Sequence, residues 1–258
     1  MKISLLKPSL TRNIRFYILA ATVCVSIFVF CWLRLTITDN QLFLIRAEQS
    51  FGYLCVVYWY LALLVSPLQK QMGNRFNLTP LVFSRRAIGV SAAYFALLHA
   101  GIALWGQIGG FSGLVLLPER FVWSISLGMV ALVILLAMAA TSFNKVIAFM
   151  TYRKWQWLHR LGYLGGTLAL IHLWMIGTHM AYSIFQGVIF ILLIVFFWLE
   201  SLRMTSIAAK KYPVISRYQQ WGTLALWLIL TALLLLLPRL VVGSADHHAT
   251  PVLGAIMV

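Results

Sequence analysis

Three histidines lie within or at the edge of long apolar stretches, and they are the side chains of this sequence best suited to chemistry. His99 stands in the middle of 86–107, while His159 and His172 lie in 155–180, WQWLHRLGYLGGTLALIHLWMIGTHM. A neutral imidazole nitrogen is a common metal ligand, and ionisable side chains are rare in hydrocarbon unless they have a functional role. The pattern therefore indicates a metal or cofactor site inside a membrane.

His99 and His172 are expected at the same depth. His99 follows Arg86 by thirteen residues and His172 follows His159 by the same number, which is about 20 Å along a helix axis. Both helices are predicted to begin at the cytoplasmic face, so both imidazoles reach the outer half of the bilayer. Two neutral imidazoles at one level on neighbouring helices suit the two axial positions of a haem iron. We therefore predict that His99 and His172 bind a b-type haem.

Small residues are expected beside these two ligands. Gly165 lies seven residues before His172, and Ala92 lies seven residues before His99. A separation of seven returns to the same helix face, so these positions would accommodate a porphyrin between the helices. The alternative is ordinary small-residue packing of membrane helices, with the histidines hydrogen-bonded across the interface.

His159 is a candidate ligand of a second haem. It lies near the predicted cytoplasmic interface, about 220° around an ideal helix from His172. The alternative is an interfacial histidine beside Arg160. Arg85 and Arg86 are candidates to pair with haem propionates or with the phosphate of a flavin such as FMN, because a guanidinium forms charge-assisted bidentate hydrogen bonds. The alternative is that these arginines only help to set the orientation of the chain in the membrane, as other cytoplasmic basic residues do.

Composition requires that lipid surround the elements that carry these residues. Of 258 residues, 62% are hydrophobic and 10% are charged, with a mean hydropathy of +0.92, whereas roughly a quarter of the residues in a soluble domain are charged. The pattern predicts an all-α polytopic membrane bundle. Seven segments of spanning length are predicted: Ile14–Leu33, Phe51–Leu68, Ala87–Gln107, Phe121–Thr141, Leu158–Ile176, Ala181–Leu199 and Trp221–Pro238.

The net charge of +15 follows from membrane topology. Sixteen of the 20 Lys and Arg residues fall on one side of the predicted spans and the other four on the opposite side. The positive-inside rule places the N-terminus in the cytoplasm and the C-terminus outside. The basic balance therefore does not indicate nucleic-acid binding.

Several other kinds of site are absent from the sequence. It has no Walker A or G-x-G-x-x-G nucleotide motif, and no C-x-x-C-H for covalent haem attachment. The five acidic residues fall outside the predicted spans, which argues against a proton-coupled transporter. His179, His247 and His248 are expected to lie outside the hydrocarbon.

Four stretches carry a resemblance to a known family. The sequence resembles the ferric reductase-like transmembrane domain superfamily, which includes the NADPH oxidases. Within it, the resemblance is to the haem-binding membrane subunits of bacterial periplasmic methionine-sulfoxide reductase systems. It covers about residues 50–200, and the spacing of His99, His159 and His172 behind an Arg pair is its specific part. The stretches are SPLQ (66–69), SRRAIGVSAAYFALLH (84–99), SLGMVALVILLAMAATS (126–142) and RKWQWLHRLGYLGGTLALIHLWM (153–175).

The resemblance implies a six-helix core, here residues 1–218, that binds b-type haem through those histidines. The sequence departs from the family in a predicted additional helix and periplasmic tail over 219–258. It implies electron entry from a cytoplasmic flavin reductase or from the quinone pool. Electrons would leave to a periplasmic molybdenum-cofactor oxidoreductase that reduces methionine sulfoxide. The oxidase relatives use four histidines in two pairs, and here Arg85 stands at the position that pairs with His159.

Two alternative functions remain at this point. One is a quinol-fed cytochrome b or ferric reductase subunit with another electron acceptor. The other is a non-redox membrane transporter or scaffold whose histidines only bond between helices. In the favoured interpretation the chain conducts electrons and has no substrate site of its own, because an iron with two histidine ligands keeps no open position.

Overall fold

A computed structural model describes residues 8–72, 76, 78–177 and 183–211, together with positions 225 and 229. The described part is built from helices in the order α1 (Pro8–Thr36), α2 (Asn40–Met72), α3 (Thr79–Gly101), α4 (Glu119–Ala140), α5 (Asn144–Phe149), α6 (Tyr152–Ile176) and α7 (Ser183–Lys211). Six of these are long, which confirms the predicted helical bundle. Apart from positions 225 and 229, the predicted seventh segment, Trp221–Pro238, lies outside the described residues, as does the predicted boundary at residue 218.

Five helices of the described part are long and apolar enough to cross a membrane: Asn13–Thr36, Asn40–Met72, Thr79–Gln107, Glu119–Ala140 and Ile184–Arg203. Helix α6 is not among them, although its 25 residues span more than 30 Å at about 1.5 Å per residue. Arginine, histidine and glycine residues interrupt its apolar sequence. The helix that carries two of the three candidate histidines is therefore less apolar than the five spans.

Helix α2 begins at Asn40, eleven residues before the predicted Phe51. The Asp39 carboxylate accepts a hydrogen bond from the Leu42 backbone N–H at 2.6 Å, as an N-cap residue does. Hydropathy misses the first turns of this helix because they carry polar residues. The extension brings Glu48 into the helix. The expectation that all acidic residues lie outside the spans is therefore wrong for Glu48, and also for Glu119 and Glu200, which fall within Glu119–Ala140 and Ile184–Arg203.

The chain divides into two compact units, residues 1–172 and residues 173–258. In the first unit, α3 is the central helix and packs against α1, α2 and α4. Its core joins an i, i+4 stripe of α2 to a small-residue face of α3 and to two residues of α4. The core residues are Ala47, Phe51, Cys55, Trp59, Ala92, Ala93, Phe95, Ala96, Ala131 and Leu135.

Polar bonds inside this unit fix how α1 lies on α3. The Thr22 and Ser91 hydroxyls are 2.7 Å apart, and the Ser26 hydroxyl lies 2.8 Å from the Tyr94 phenol oxygen. Small hydroxyl residues are common glue between membrane helices. Beyond His99, α3 continues as a π-helical segment, Ile102–Gln107.

Candidate functional site

The structure brings the imidazoles of His99 and His172 together. His99 lies two residues before the end of α3 and His172 lies in the last turns of α6. Their ring centroids are 6.1 Å apart and the ring planes are inclined by 79°. The adjacency predicted from equal depth on co-directional helices is confirmed, while their role as ligands stays a prediction.

His99 is hydrogen-bonded to Glu48 of α2. Its Nδ1 lies 3.0 Å from the backbone carbonyl oxygen of Glu48 and 3.0 Å from the Glu48 carboxylate oxygen Oε1. Both partners are acceptors, so Nδ1 carries the proton and donates it. Gly52, one turn further along α2, faces the ring so closely that a Cβ there would lie 2.9 Å from Nδ1.

His172 is held from α4 in a parallel way. Its Nδ1 donates to the backbone carbonyl of Ser124 at 2.8 Å. The Ser124 hydroxyl lies 3.2 Å from the same nitrogen and donates to the His172 carbonyl at 3.2 Å. Gly128, one turn along α4, leaves room for the ring, because a Cβ there would lie 3.0 Å from Nδ1. Each histidine ring thus lies against a glycine of another helix. Its Nδ1 bonds the residue four positions before that glycine.

This arrangement leaves the opposite nitrogen of each ring, Nε2, as the lone-pair atom. Within the described ranges, neither Nε2 has a hydrogen-bond partner, and the His99 side chain is 25% exposed. Histidines that bind metals usually donate their other ring nitrogen to a carbonyl or carboxylate, which fixes the ring and its tautomer. Both rings are prepared in that way.

The distance between the rings fits one metal ion between them. A metal–imidazole bond is about 2 Å, which places two ring centroids on opposite sides of a metal roughly 6.3 Å apart. The observed 6.1 Å agrees. In the described residues no group of three or more His, Cys, Asp or Glu side chains could hold a metal ion. A two-histidine site needs a group that brings its own equatorial ligands, and the residues present therefore fit a haem.

His159 is not brought to this pair. It lies thirteen residues before His172 on α6, about 20 Å away along the helix. Its ring lies against the Trp155 ring, with centroids 4.1 Å apart and the planes inclined by 33°, and its Nε2 is 3.5 Å from the Thr141 hydroxyl. The Trp155 indole N–H donates to the Thr141 carbonyl at 3.1 Å. These contacts join α6 to the end of α4.

Arg85 and Arg86 contact protein groups on other helices. Arg85 donates from Nε to the Ala62 carbonyl at 2.9 Å and from Nη1 to the Ser66 hydroxyl at 2.7 Å. Arg86 donates to the Asn144 side-chain oxygen at 3.0 Å, and its guanidinium lies over the Trp155 ring, 5.5 Å from its centroid. The predicted pairing of these arginines with haem propionates or FMN stays a prediction.

The expectation that Gly165 and Ala92 lie beside the proposed ligands is wrong. A Cβ on Gly165 would meet the Trp59 indole at 2.8 Å, so a protein side chain fills this face of α6. Ala92 is fully buried in the core. The i−7 rule followed each ligand's own helix, whereas the imidazoles cross to glycines on other helices, Gly52 and Gly128.

Sequence reasoning missed four residues of the site: Glu48, Gly52, Ser124 and Gly128. Their cross-helix pairing left little signal in one sequence. The available signal was repetition, since each pair has a polar residue followed four positions later by a glycine.

Comparison with known proteins identifies the class. The family model for the ferric reductase like transmembrane component matches residues 19–170, more than half of the chain. The match includes His99 and His159 and ends two residues before His172. The chain belongs to this family of transmembrane components.

Within that family, the chain is similar to bacterial proteins named protein-methionine-sulfoxide reductase heme-binding subunit MsrQ. It is 32% identical to the protein of Ralstonia nicotianae over 49% of this chain and 56% of that relative. It is 32% identical to that of Deinococcus radiodurans over 50% and 61%, and to that of Polaromonas naphthalenivorans over 58% and 69%. The chain thus spans less than two thirds of the first two relatives.

Proposed function

We propose that this chain is the haem-binding membrane subunit of an electron-transfer system, with His99 and His172 as the two axial ligands of one b-type haem. The observation that carries the proposal is the adjacent pair of rings, whose centroids are 6.1 Å apart, each with Nδ1 bonded to a backbone carbonyl. The similarity to proteins named as heme-binding subunits supports the same group.

The chain's own residues would hold and orient the group. Glu48 and Ser124 fix the two imidazoles in the tautomer that presents Nε2, and Gly52 and Gly128 let the rings approach the backbone. A haem with two histidine ligands supplies a reversible one-electron carrier and keeps no open iron position for a substrate. The chain would therefore conduct electrons, with the final chemistry on a partner.

The route proposed is from the cytoplasm to the periplasm of a bacterial inner membrane. The excess of Lys and Arg on one side of the predicted spans supports this orientation. The donor is a cytoplasmic flavin reductase or the quinone pool, and the acceptor is a periplasmic molybdenum-cofactor oxidoreductase that acts on methionine sulfoxide. The names of the relatives support a methionine-sulfoxide reductase as the acceptor.

His159 is proposed as the candidate ligand of a second haem. No histidine of the described residues stands opposite it, and the Trp155 ring lies against its ring. Arg85 and Arg86 of α3 lie near it and would supply positive charge for propionates or for the phosphate of FMN.

A reduced-minus-oxidised spectrum with pyridine haemochrome quantification on the purified chain tests the proposal. We expect a b-type spectrum that disappears in His99→Ala and in His172→Ala. His179→Ala, a histidine outside the predicted spans, is the matched control and should retain it. A colourless chain from haem-replete cells, or full absorbance in either ligand variant, would contradict the proposal.

A further inference from the structure

The two proposed ligands have different electrostatic surroundings. His172 Nδ1 bonds to neutral groups of Ser124, a carbonyl and a hydroxyl. His99 Nδ1 bonds to the neutral carbonyl of Glu48 and also to its carboxylate, 3.0 Å away. One side of the site therefore has a charged partner and the other does not.

The Glu48 carboxylate contacts the His99 ring. Its side chain is 19% exposed and lies in a helix long and apolar enough to span a membrane. Within the described ranges, no Lys or Arg forms an ion pair with it. A charge with little water or countercharge around it acts strongly on its neighbours, because the local dielectric is low.

The carbonyl of Glu48 already fixes the tautomer and the orientation of His99, so the carboxylate is not needed for either. What it adds is negative charge. A carboxylate that accepts the ligand's N–H makes the other ring nitrogen a stronger electron donor to a metal. Stronger donation and nearby negative charge both favour the oxidised, more positive form of a bound metal group.

We infer that Glu48 is a positioning residue that acts through His99 to lower the reduction potential of the group bound between His99 and His172. The inference rests on the proposed function, because it assumes that His99 is an axial ligand. It assigns to Glu48 a role that no motif in the sequence indicates. It also predicts that the two ligands are not equivalent: the charge on the α2 side sets the potential, and the α4 side does not.

Potentiometric titration of the full-length purified chain, followed at the b-type absorbance, tests this role. We expect Glu48→Gln to retain the absorbance and to shift the ratio of oxidised to reduced protein at least tenfold toward reduced at a fixed ambient potential. A tenfold shift corresponds to about 59 mV for a one-electron couple. The low-spin electron paramagnetic resonance signals should shift as well, because they report the donor strength of the axial ligands.

Glu119→Gln is the matched control, since it removes one carboxylate charge at the start of α4 from a residue that bonds Trp123 and no imidazole. We expect its potential to remain that of the unmodified chain. Equal shifts in the two variants would show a general charge effect and overturn the inference. An unchanged potential in Glu48→Gln with a normal b-type spectrum would overturn it too, while leaving the proposed function intact.

Glu48→Asp covers the case in which Glu48→Gln loses the haem. If the aspartate variant retains haem and a potential close to the original, the charge is what matters and the inference stands. If both variants lose haem alike, Glu48 is a packing residue and the inference fails. An unmodified chain without a b-type spectrum would instead remove the proposed function, and the role of Glu48 with it.

Discussion

Gly52 and Gly128 lie directly against the two imidazoles. A Cβ at Gly52 would lie 2.9 Å from His99 Nδ1, and one at Gly128 would lie 3.0 Å from His172 Nδ1. Each Nδ1 bonds a backbone carbonyl that lies one turn before the glycine, on the helix of that glycine. A ring pushed away by an added methyl group would therefore lose its hydrogen bond and change the direction of its Nε2.

We expect Gly52→Ala and Gly128→Ala each to reduce the haem bound per folded protein. Adding a methyl group to a packed interior costs about 1–3 kcal/mol, and here the atoms that must move belong to the proposed ligands. Haem content by pyridine haemochrome, divided by the monodisperse protein peak, measures the effect. The same spectra show whether the remaining haem keeps its b-type bands.

Gly89→Ala is the control for these two variants. Gly89 lies in α3 and has no atom within 4 Å of an added Cβ, so alanine should stabilise the helix by about 0.5–1 kcal/mol. Its haem content should equal that of the unmodified chain. Full haem content in Gly52→Ala and Gly128→Ala would show that the rings tolerate displacement, against the proposed geometry.

The facing of His99 and His172 was predictable, because residue count gives depth and the alternation of helices gives direction. The partners of Nδ1 were not, since they depend on how α2 and α4 are rotated about their axes. Hydropathy carries little information on rotation, and no sequence motif links Glu48 to His99 across 51 residues. Gly165 was assigned to the wrong neighbour for the same reason.

At the scale of elements, α6 packs through its glycines. Gly162 faces Met138, and Gly165 faces Trp59 and Ile134, with added Cβ atoms at 2.9 Å and 2.8 Å from the nearest side-chain atoms. The indole of Trp59 is rigid and 5% exposed, so it has little freedom to retreat. Gly166, the next residue, has only an ordinary contact with Leu63 at 3.7 Å.

We expect Gly165→Ala to lower the thermal unfolding midpoint of the purified chain, because its methyl group would overlap Trp59. Overpacking of this kind costs about 1–3 kcal/mol. Gly166→Ala, shifted by a single position, should leave the midpoint unchanged or raise it. Haem per folded protein should stay the same in both variants, since the proposed ligands are not touched.

A loss of haem in Gly165→Ala without a loss of thermal stability would contradict this interpretation. It would return Gly165 to the role first expected of it, a small residue beside the porphyrin.

The helix ends show what hydropathy detects. The ends of α4 were predicted to within two residues, whereas the polar first turns of α2 were missed.

At the scale of the whole molecule, the distribution of basic residues and the position of the site predict the direction of electron flow. Lys70, Lys145 and the Arg85–Arg86 pair lie on the side predicted to be cytoplasmic, while the loop between α3 and α4 lies on the other side. That loop has no Lys or Arg from Ile102 to Pro118. His99 and His172 lie toward the same end of their helices as this loop, so electrons would leave on the side with fewer basic residues.

Cysteine labelling tests this orientation. Cys24 and Cys31 are exposed and would be replaced by Ala, while buried Cys55 is retained. Ser112→Cys and Lys145→Cys each place one thiol at an exposed position on opposite predicted sides. We expect a membrane-impermeant maleimide to label Ser112→Cys in intact spheroplasts and Lys145→Cys only after permeabilisation, because the positive-inside rule retains the basic loops in the cytoplasm.

The parent chain with only Cys55 is the control and should remain unlabelled in both conditions, since Cys55 is buried. The reverse labelling pattern would place the His99–His172 pair nearer the cytoplasmic face. A periplasmic acceptor would then be on the wrong side of the membrane, and the proposed direction of electron flow would be wrong even with a haem bound. Agreement of both variants would support electron exit to the periplasm.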